Sequence, residues 1–467
     1  MKFAAPFALL ALATTACTTV GPDYRAPEAG ALSIPETYYG PAPGPQAMPA
    51  DLGRWWENFG DPLLTRLIEE ASAGNLDLAV AAARLAQARE GLVQARAGQV
   101  PTVGASGGAS RSVLDGHDVT RVDVGVDAAW EVDLFGRIAR GIEAAGADAE
   151  AALYDREALR VAIAAEVATN YVQARLAQDR LALARDTLAI ADDNLQIAQW
   201  RVQAGLVSSL DSEQARAARA QTAAAIPSLE SAFASATYRL AVLTGRAPGS
   251  LTAELSTAQP IPDGPDEVAV GIPAEALRQR PDVRASERSL AAATARIGVA
   301  EAQLYPALRL TGNIGTTALS LGNLFSAITG AIFAGLDQTL FDGGRLRSQV
   351  RSQEAAAEGA LATYRQSVLT ALEDVENALV ALRAARARQA EFAIAFEAAN
   401  NSAILARTQY RAGLTDFQIL LDAERSLVNA RDGMAGARGD EALALVQLYR
   451  ALGGGWDPLS PQMAGTR

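Results

Sequence analysis

Apolar and polar residues alternate strictly from Val122 to Asp133, which is typical of a β-strand with two unlike faces. One face carries an apolar set (Val122, Val124, Val126, Ala128, Trp130 and Val132), and the other carries a largely acidic set (Asp123, Gly125, Asp127, Ala129, Glu131 and Asp133). The preceding run 103–113 is a weaker strand, rich in Gly and Ser, and residues 115–118 have a turn composition. The pattern predicts a hairpin over about 101–134. The recurring acidic residues favour a membrane-spanning barrel with its apolar face toward lipid over a soluble sheet packed on a core.

A second hairpin is predicted over about 306–341. Residues 310–336 contain no charged residue, so a hydropathy window alone would predict a transmembrane helix. Five residues that interrupt helices fall in this stretch: Gly312, Gly315, Gly322, Asn323 and Gly330. Leu308 and Leu310 also alternate with Arg309 and Thr311, as in a strand. We therefore predict strand, long outer loop and strand, and the transmembrane helix is the alternative.

Two long helices are predicted, over about 137–203 and 343–411. Each has apolar residues at intervals of seven: Val167, Ala174, Leu181, Leu188, Leu195 and Val202 in the first, and Ala357, Tyr364, Ala371, Ala378, Ala385, Phe392, Ala399 and Ala406 in the second. A sustained heptad indicates supercoiled packing against neighbouring helices. At about 1.5 Å per residue each helix would be roughly 100 Å long, which suits a rod or the wall of a tube.

These elements recur along the chain as an internal duplication. Pro101 and Pro306 stand 205 residues apart, and Gly205 and Gly413 stand 208 apart. The first repeat is predicted over 51–245 and the second over 274–452, each with a helix, a hairpin, a long helix, a tip turn and a shorter helix. An equatorial linker, 246–273, joins them, and 453–467 form a tail. Four strands per chain cannot close a barrel in lipid, so the barrel must be shared, and three chains would supply twelve strands.

The amino terminus has the features of a bacterial lipoprotein signal. Residues 1–16 contain one charged residue, a short apolar stretch and small residues directly before Cys17. Thr14 departs from the usual large aliphatic residue of such a cleavage box, and the alternative is a plain signal peptide with an incidental cysteine. Lipidated Cys17 would anchor the chain to a membrane, and the Pro-rich residues 17–50 would form a tether.

Composition narrows the function further. The net charge of −12 argues against a nucleic-acid partner, and a single Cys and a single His make a protein-bound metal site improbable. The acidic residues of the strand recur at every second position, which a wet lumen needs and a catalytic pair does not. We expect no enzymatic activity, no metal and no cofactor.

Several motifs resemble the outer membrane factor family, the TolC/OprM-like efflux ducts, and in particular its lipoprotein (NodT-type) branch. They are Cys17 followed by Val20-Gly21-Pro22-Asp23-Tyr24, Gly271-Ile272-Pro273, Arg280-Pro281-Asp282-Val283-Arg284-Ala285-Ser286-Glu287, Ala295-Arg296-Ile297-Gly298-Val299-Ala300 and Tyr305-Pro306. The resemblance implies an α+β membrane protein: a homotrimer whose twelve-stranded transmembrane β-barrel, with four strands per chain, continues as a twelve-helix periplasmic α-barrel.

The same resemblance implies a function and a location. Members of the family are passive, non-enzymatic exit ducts in the outer membrane of Gram-negative bacteria. A periplasmic membrane fusion (adaptor) protein and an inner-membrane transporter, here expected to be of the RND type, recruit them into tripartite efflux systems. Outer membrane lipid would contact Val122, Val124, Val126, Trp130, Leu308 and Leu310.

Candidate functional residues surround the two helix breaks at Gly205 and Gly413. Glycines there fit the turns of helical hairpins. The resemblance places both turns at the periplasmic tip and implies an adaptor-docking surface formed by Gly205, Leu206, Val207, Ser208, Gly413, Leu414 and Thr415. The alternative is a purely structural turn.

The resemblance also implies a periplasmic gate formed by Asp211, Tyr410, Asp416 and Asp422. Asp211 matches a family aspartate that bonds a tyrosine, here Tyr410, across the closed aperture, and Asp422 matches a constriction carboxylate. Ile419 and Thr415 stand where the family pattern has a second aspartate and an arginine, so we expect a different bonding network. A ring of carboxylates at a narrow pore would bind cations.

A periplasmic coiled-coil scaffold or adaptor that bridges two membranes without a pore is the second hypothesis. The hairpin at 101–134 distinguishes the two, because only a duct needs an apolar strand face in contact with lipid.

Overall fold

Long α-helices dominate the computed structural model, which describes residues 19–32, 34–40, 52–114 and 117–457. The helices are α1 Pro62–Gly74, α2 Leu76–Ala97, α3 Arg137–Gln203, α4 Ser209–Leu243, α5 Thr252–Leu255, α6 Pro273–Gln279, α7 Pro281–Ala302, α8 Arg345–Arg411 and α9 Phe417–Ala451. Cys17 and the predicted signal peptide, residues 33 and 41–50 of the tether and the end of the tail lie outside the described residues. Among those described, no helix is both long and apolar enough to cross a membrane.

Helix lengths recur in the two halves of the chain. Helices α2 and α7 have 22 residues each, α3 and α8 have 67 each, and α4 and α9 have 35 each. Two strands separate the 22-residue helix from the 67-residue helix in both halves. The predicted heptad residues on α3 and α8 are all buried or half-buried, as expected for residues on packing faces.

One antiparallel sheet contains the four described strands, β1 Thr102–Leu114, β2 His117–Val132, β3 Ala307–Ala318 and β4 Ile328–Asp337. They pair in chain order, so that β1 and β4 are the two edges. The uncharged stretch 310–336 forms most of β3 and β4, with a short 3₁₀ turn, Leu321–Asn323, between them, and is not a helix. Its many glycines explain this, because glycine disfavours a helix interior.

The chain divides into two compact units. Unit one contains the described residues of Met1–Glu28 together with Ala83–Asp155 and Arg284–Ser367, and so includes the whole sheet. Unit two contains the described residues of Ala29–Ala82 and Val368–Arg467 together with Arg156–Val283, and so includes both helix-hairpin tips.

The largest buried cluster among the described residues lies in unit two and draws on two irregular segments, one of which is the predicted equatorial linker. Trp55, Trp56 and Phe59, on a 3₁₀ helix, are buried, and the ring of Trp55 stacks on Tyr449 of α9 at 5.2 Å between centroids. Apolar residues of the linker, among them Leu251, are buried in the same cluster. These irregular segments therefore pack against the long helices.

A buried arginine ties helix α3 to this region. The side chain of Arg175 is 1% exposed and donates to the hydroxyl of Tyr171 (3.0 Å), to Oε1 of Gln178 (2.7 Å) and to the carbonyl of Thr257 (2.9 Å). The Tyr171 hydroxyl in turn donates to Asp61 at 2.6 Å, and the other oxygen of Asp61 caps the start of α1. Burial is the main cause that raises the pKa of Tyr171, so its hydroxyl stays protonated and acts as a donor.

Candidate functional site

The strand register places apolar residues of all four strands on one face of the sheet, because residues directly opposite each other point to the same side. Val126 of β2 lies opposite Ala105 of β1 and Ile314 of β3, and Trp130 lies opposite Leu310. The apolar residues of this face are Val103, Ala105, Ala109, Val113, Val122, Val124, Val126, Ala128, Trp130, Val132, Leu308, Leu310, Ile314, Ala318, Ile328, Ile332, Ala334 and Leu336. The face also carries Arg111, Asp118, Thr120 and Thr316. The six residues predicted to face lipid are all among the apolar ones.

The opposite face of the sheet is polar. It carries Thr102, Ser106, Ser110, Ser112, Arg121, Asp123, Asp127, Glu131, Arg309, Thr311, Asn313, Thr317, Thr329 and Asp337, with Phe333 as its one aromatic residue among the described strands. Glu131 pairs with Arg137 at 2.8 Å. The sheet thus has one mainly apolar and one mainly polar face, and the ion pair of Arg111 with Asp118 lies on the apolar side, at the turn end of β1 and β2.

The weak pattern of β1 has a structural reason. Gly104 and Gly108 lie opposite Asp127 and Asp123 on the polar face. A Cβ at Gly104 would lie 3.2 Å from a carboxylate oxygen of Asp127, and one at Gly108 would lie 3.0 Å from Asp123. The glycines therefore leave room for acidic side chains that lean across from β2.

A seat for the amino-terminal segment lies at the end of β2, in unit one. The backbone N–H of Val20 donates to the carbonyl of Phe135 at 3.1 Å. Arg140, 5% exposed, donates to the carbonyls of Val20 and Gly21 (3.1 Å each) and to Asp23 (2.7 Å). These contacts fix the chain shortly after Cys17, which itself lies outside the described residues.

Three of the motifs that carried the family resemblance meet at this seat. Gly21 packs directly on Gly298 of α7. A Cβ added to Gly298 would lie 2.9 Å from the carbonyl oxygen of Val20, so only glycine fits there. The Tyr24 hydroxyl donates to Glu287 at 3.1 Å. Sequence reasoning assigned no role to Arg140, because its partners lie almost 120 residues away and no local pattern identifies it.

We expect Arg140→Ala to release this segment. The substitution removes three hydrogen bonds to residues 20–23, and a loss of roughly 1.4 kcal/mol would raise the undocked population about tenfold. Limited trypsin digestion of the purified protein should then cleave after the exposed Arg25 about ten times faster than in wild type. Arg137→Ala, which removes a partly exposed ion pair at the start of the same helix, is the control, and equal cleavage rates in the two variants would contradict the seat.

The two hairpin tips, in unit two, close with the same turn. Gly205 has φ 70° and Gly413 has φ 74°, a left-handed conformation that favours glycine. In each turn the glycine N–H and the following leucine N–H return to carbonyls of the preceding helix, as in a Schellman motif. The leucines, Leu206 and Leu414, are 69% and 78% exposed. Each tip therefore presents an apolar side chain on a rigid turn.

Beyond the turns, Ser208 and Asp416 occupy the N-cap positions of α4 and α9 with nearly identical extended backbones. Ser208 accepts the N–H of Leu210 at 3.2 Å, whereas Asp416 makes no side-chain cap bond and is exposed. Val207 and Thr415 are half-buried within the loops. Asp416 is thus placed as a cap residue with a free carboxylate.

Tyr410 does not bond Asp211 within the chain. Its side chain is buried, its hydroxyl has no hydrogen-bond partner among the described residues, and Asp211 is half-buried on α4. The Tyr410 ring instead lies under the guanidinium of Arg201 at 4.5 Å and beside Phe417 at 5.4 Å. Arg201 also donates to the Tyr410 carbonyl at 3.2 Å, so within the chain Tyr410 is held by a hydrogen bond and a cation–π contact to Arg201. The bond between Asp211 and Tyr410 across the aperture stays a prediction.

Asp422 is exposed on α9. Its carboxylate accepts from Gln418 at 3.0 and 3.1 Å and lies 3.8 Å from Arg425. The structure thus leaves the Asp422 carboxylate accessible from outside the protomer. Among residues 19–32, 34–40, 52–114 and 117–457, no group of three or more His, Cys, Asp or Glu side chains is arranged to hold a metal ion.

Comparison with known proteins decides the family. The family described as outer membrane efflux protein matches residues 67–246 and 272–454. The chain belongs to the outer membrane efflux protein family. The matched stretches include both strand pairs and both helix-hairpin tips.

Individual relatives match this efflux protein over almost its whole length. Nodulation protein T of Rhizobium leguminosarum bv. trifolii is 32% identical, with 98% of each chain covered. The pyoverdine export outer membrane protein OpmQ of Pseudomonas putida is 33% identical, with 97% of each covered.

Solved structures share the fold. The outer-membrane channel OprN is 36% identical with a TM-score of 0.87, covering 94% of this chain and 100% of that one. The open state of the MtrE outer membrane channel of Neisseria gonorrhoeae is 27% identical with a TM-score of 0.83, covering 94% and 99%. The fold is therefore that of the TolC-like channels, mostly helical with a small sheet.

Proposed function

We propose that this chain is one protomer of a passive, trimeric exit duct in the outer membrane of a Gram-negative bacterium. Three chains contribute four strands each to a twelve-stranded barrel, and their helices form a periplasmic α-barrel of twelve. The duct is lipid-anchored at Cys17 and gated at its periplasmic end, and it catalyses no reaction. It belongs to a tripartite efflux system.

The observation that carries this proposal is the two-faced sheet with two free edges. Several residues of its apolar face are strongly exposed in the single chain, Val103 at 71% and Ile332 at 93% among them. An apolar surface of this kind needs lipid or another protein to cover it. Each of the edge strands β1 and β4 has one described neighbour, and lipid does not tolerate unpaired strand edges. A barrel shared between chains satisfies both requirements.

The relatives support the choice of system. Those named as export or efflux components include OpmQ and the antibiotic efflux pump outer membrane protein ArpC of Pseudomonas putida, the latter 30% identical over 96% of each chain. A duct of this kind needs a periplasmic adaptor protein and an inner-membrane transporter of the RND type to deliver its cargo. The exposed tip leucines offer the adaptor two similar apolar contacts.

Fractionation tests the location and the assembly. The mature chain should sediment with the outer membrane, carry lipid at Cys17 and run in mild detergent at the mass of three chains. Recovery in the soluble periplasm as a single chain would instead support the bridging scaffold. The apolar sheet face argues against that alternative, since a scaffold has no lipid to cover it.

Asp422→Ala tests the gate residues. We propose that Asp422 lines the aperture, where three copies would attract divalent cations. In planar bilayers the Ca²⁺ concentration that halves the single-channel current should rise about tenfold in the variant, a loss of roughly 1.4 kcal/mol of cation binding. Asp432→Ala is the control, because Asp432 on the same helix pairs with Arg180. Unaltered block in Asp422→Ala would remove this residue from the lumen, and the same measurement on Asp416→Ala tests the exposed cap residue.

A further inference from the structure

Helix α9 is held on one side and exposed on the other near its first turns. Asp422 is exposed, whereas Glu424 has a side chain that is only 14% exposed. Side chains two positions apart on an α-helix differ in direction by about 200°. The carboxylates of Asp422 and Glu424 therefore point to nearly opposite sides of α9. Whatever holds Glu424 therefore sets the direction in which Asp422 points.

Glu424 joins three helices. One of its oxygens accepts from Nε of Arg407 on α8 at 3.0 Å, and the other accepts from Nδ2 of Asn194 on α3 at 2.6 Å. Asn194 is itself buried, at 8% exposure. Charge-assisted bonds of this length are among the stronger hydrogen bonds in proteins. The carboxylate of Glu424 thus connects the first helical hairpin, through α3, with the second helical hairpin, formed by α8 and α9.

A cavity lies beside this contact. It has a volume of about 140 Å³ and lies between α3, α4 and α9, with Asn194, Thr222, Glu424 and Arg425 among its lining residues. The residues that α4 contributes to its lining are uncharged. Helix α9 therefore has free space on the side of Glu424 into which it can move if the contact is broken.

Burial of the Glu424 carboxylate also carries a desolvation cost. Burial raises the pKa of Glu424 above its ordinary value, although Arg407 and Asn194 both lower it. The two donors thus offset only part of the cost of burying the charged carboxylate. A tie of this kind holds firmly while both partners are present and weakens sharply when one is lost.

We propose that Glu424, with Arg407 and Asn194, is the positioning group that holds α9 against α3 and α8, and that the closed state of the gate depends on this contact. This role rests on the proposed function, since it concerns the gate of that duct. Opening requires the Glu424 contact to break, so that α9 turns or moves toward the cavity. The gate residues inferred from sequence did not include Glu424 or its two partners. A carboxylate on a long helix is usually exposed to solvent, and no local pattern indicated that this one is buried.

Single-channel recording on the full-length trimer tests the role. Glu424→Ala should raise the open probability about fivefold or more, at the lower end of typical couplings between a contact and a conformational equilibrium. Arg407→Ala should do the same, and the double variant should open no more than either single one, because both remove one interaction. Additive effects, or wild-type opening in an assembled Glu424→Ala trimer, would overturn the proposal.

The chain offers a matched control. Asp192 of α3 and Arg219 of α4 form an exposed ion pair at 2.8 Å, two residues before Asn194. Exposed pairs of this kind contribute little to stability, so a trimer carrying Arg219→Ala should have the open probability of the wild type. If Glu424→Ala fails to assemble, Glu424→Gln takes its place, because it removes the charge and keeps the size of the side chain. A wild-type open probability in that variant would also overturn the proposal.

The outcomes separate this inference from the function on which it rests. A wild-type trimer that inserts but never conducts would contradict the duct itself. A conducting wild type whose opening is unaffected by Glu424→Ala and Glu424→Gln would leave the duct in place and remove only the positioning role.

Discussion

A chain carrying Val124→Arg and Val126→Arg should fail to enter the outer membrane. Both valines lie on the apolar face of the sheet, in a strand that is paired on both sides. The introduced arginine side chains could therefore leave the apolar face only if the pairing of β2 with β1 and β3 were broken. An arginine on the lipid side of a barrel near the bilayer midplane costs about 2–4 kcal/mol, and two are comparable to the whole stability of many domains. Outer membrane fractions should contain little trimer, and the chain should be degraded or recovered from the periplasm.

Two arginines on the other face provide the control. Thr311 and Asn313 of β3 lie opposite Ala129 and Asp127, on the polar side of the same sheet. The variant Thr311→Arg with Asn313→Arg adds the same charge about three residues further along the sheet but points it into the proposed lumen, and it should assemble. Loss of assembly in both double variants, or in neither, would contradict the assignment of the two faces.

The second large effect is expected at Arg175. Arg175→Ala leaves the carbonyl of Thr257 and the amide oxygen of Gln178 without their buried donor and opens a cavity beside Tyr171. Each orphaned buried group costs about 1–3 kcal/mol, and we expect a total loss of about 3 kcal/mol or more. Thermal unfolding of the detergent-solubilised trimer, followed by circular dichroism at helix wavelengths, should occur at a clearly lower temperature.

Arg185→Ala is the comparison on the same helix. Arg185 lies further along α3 and forms an exposed pair with Glu230, which contributes no more than about 1 kcal/mol. Its unfolding should match that of the wild type. An Arg175→Ala variant as stable as Arg185→Ala would mean that the network around Tyr171 does not hold α3 to the linker.

Local patterns explain what was predictable from the chain. A period of two from Val122, with one apolar face, predicts a strand. The alternation at 308–311, together with the glycines that interrupt 310–336, favours strands over a helix there. Gly205 and Gly413 were identifiable because a left-handed turn after a long helix favours glycine. These features depend only on neighbouring residues.

Contacts between distant residues account for what was missed. Arg140, Arg175 and Glu424 are charged residues on long helices, where a solvated position is the usual outcome, and each is buried only because partners far along the chain surround it. Tyr410 was recognised as a candidate, but the cation–π contact of its ring with Arg201 was not foreseen, because no spacing in the sequence identifies it.

Electrical recording on the purified wild-type protein tests the central claim most directly. After insertion of trimers into a planar lipid bilayer, the account predicts discrete current steps of uniform size that scale linearly with voltage, with block by divalent cations added on the side of the helix tips. Confirmed insertion of trimers without any current above that of the bare bilayer would contradict an exit duct.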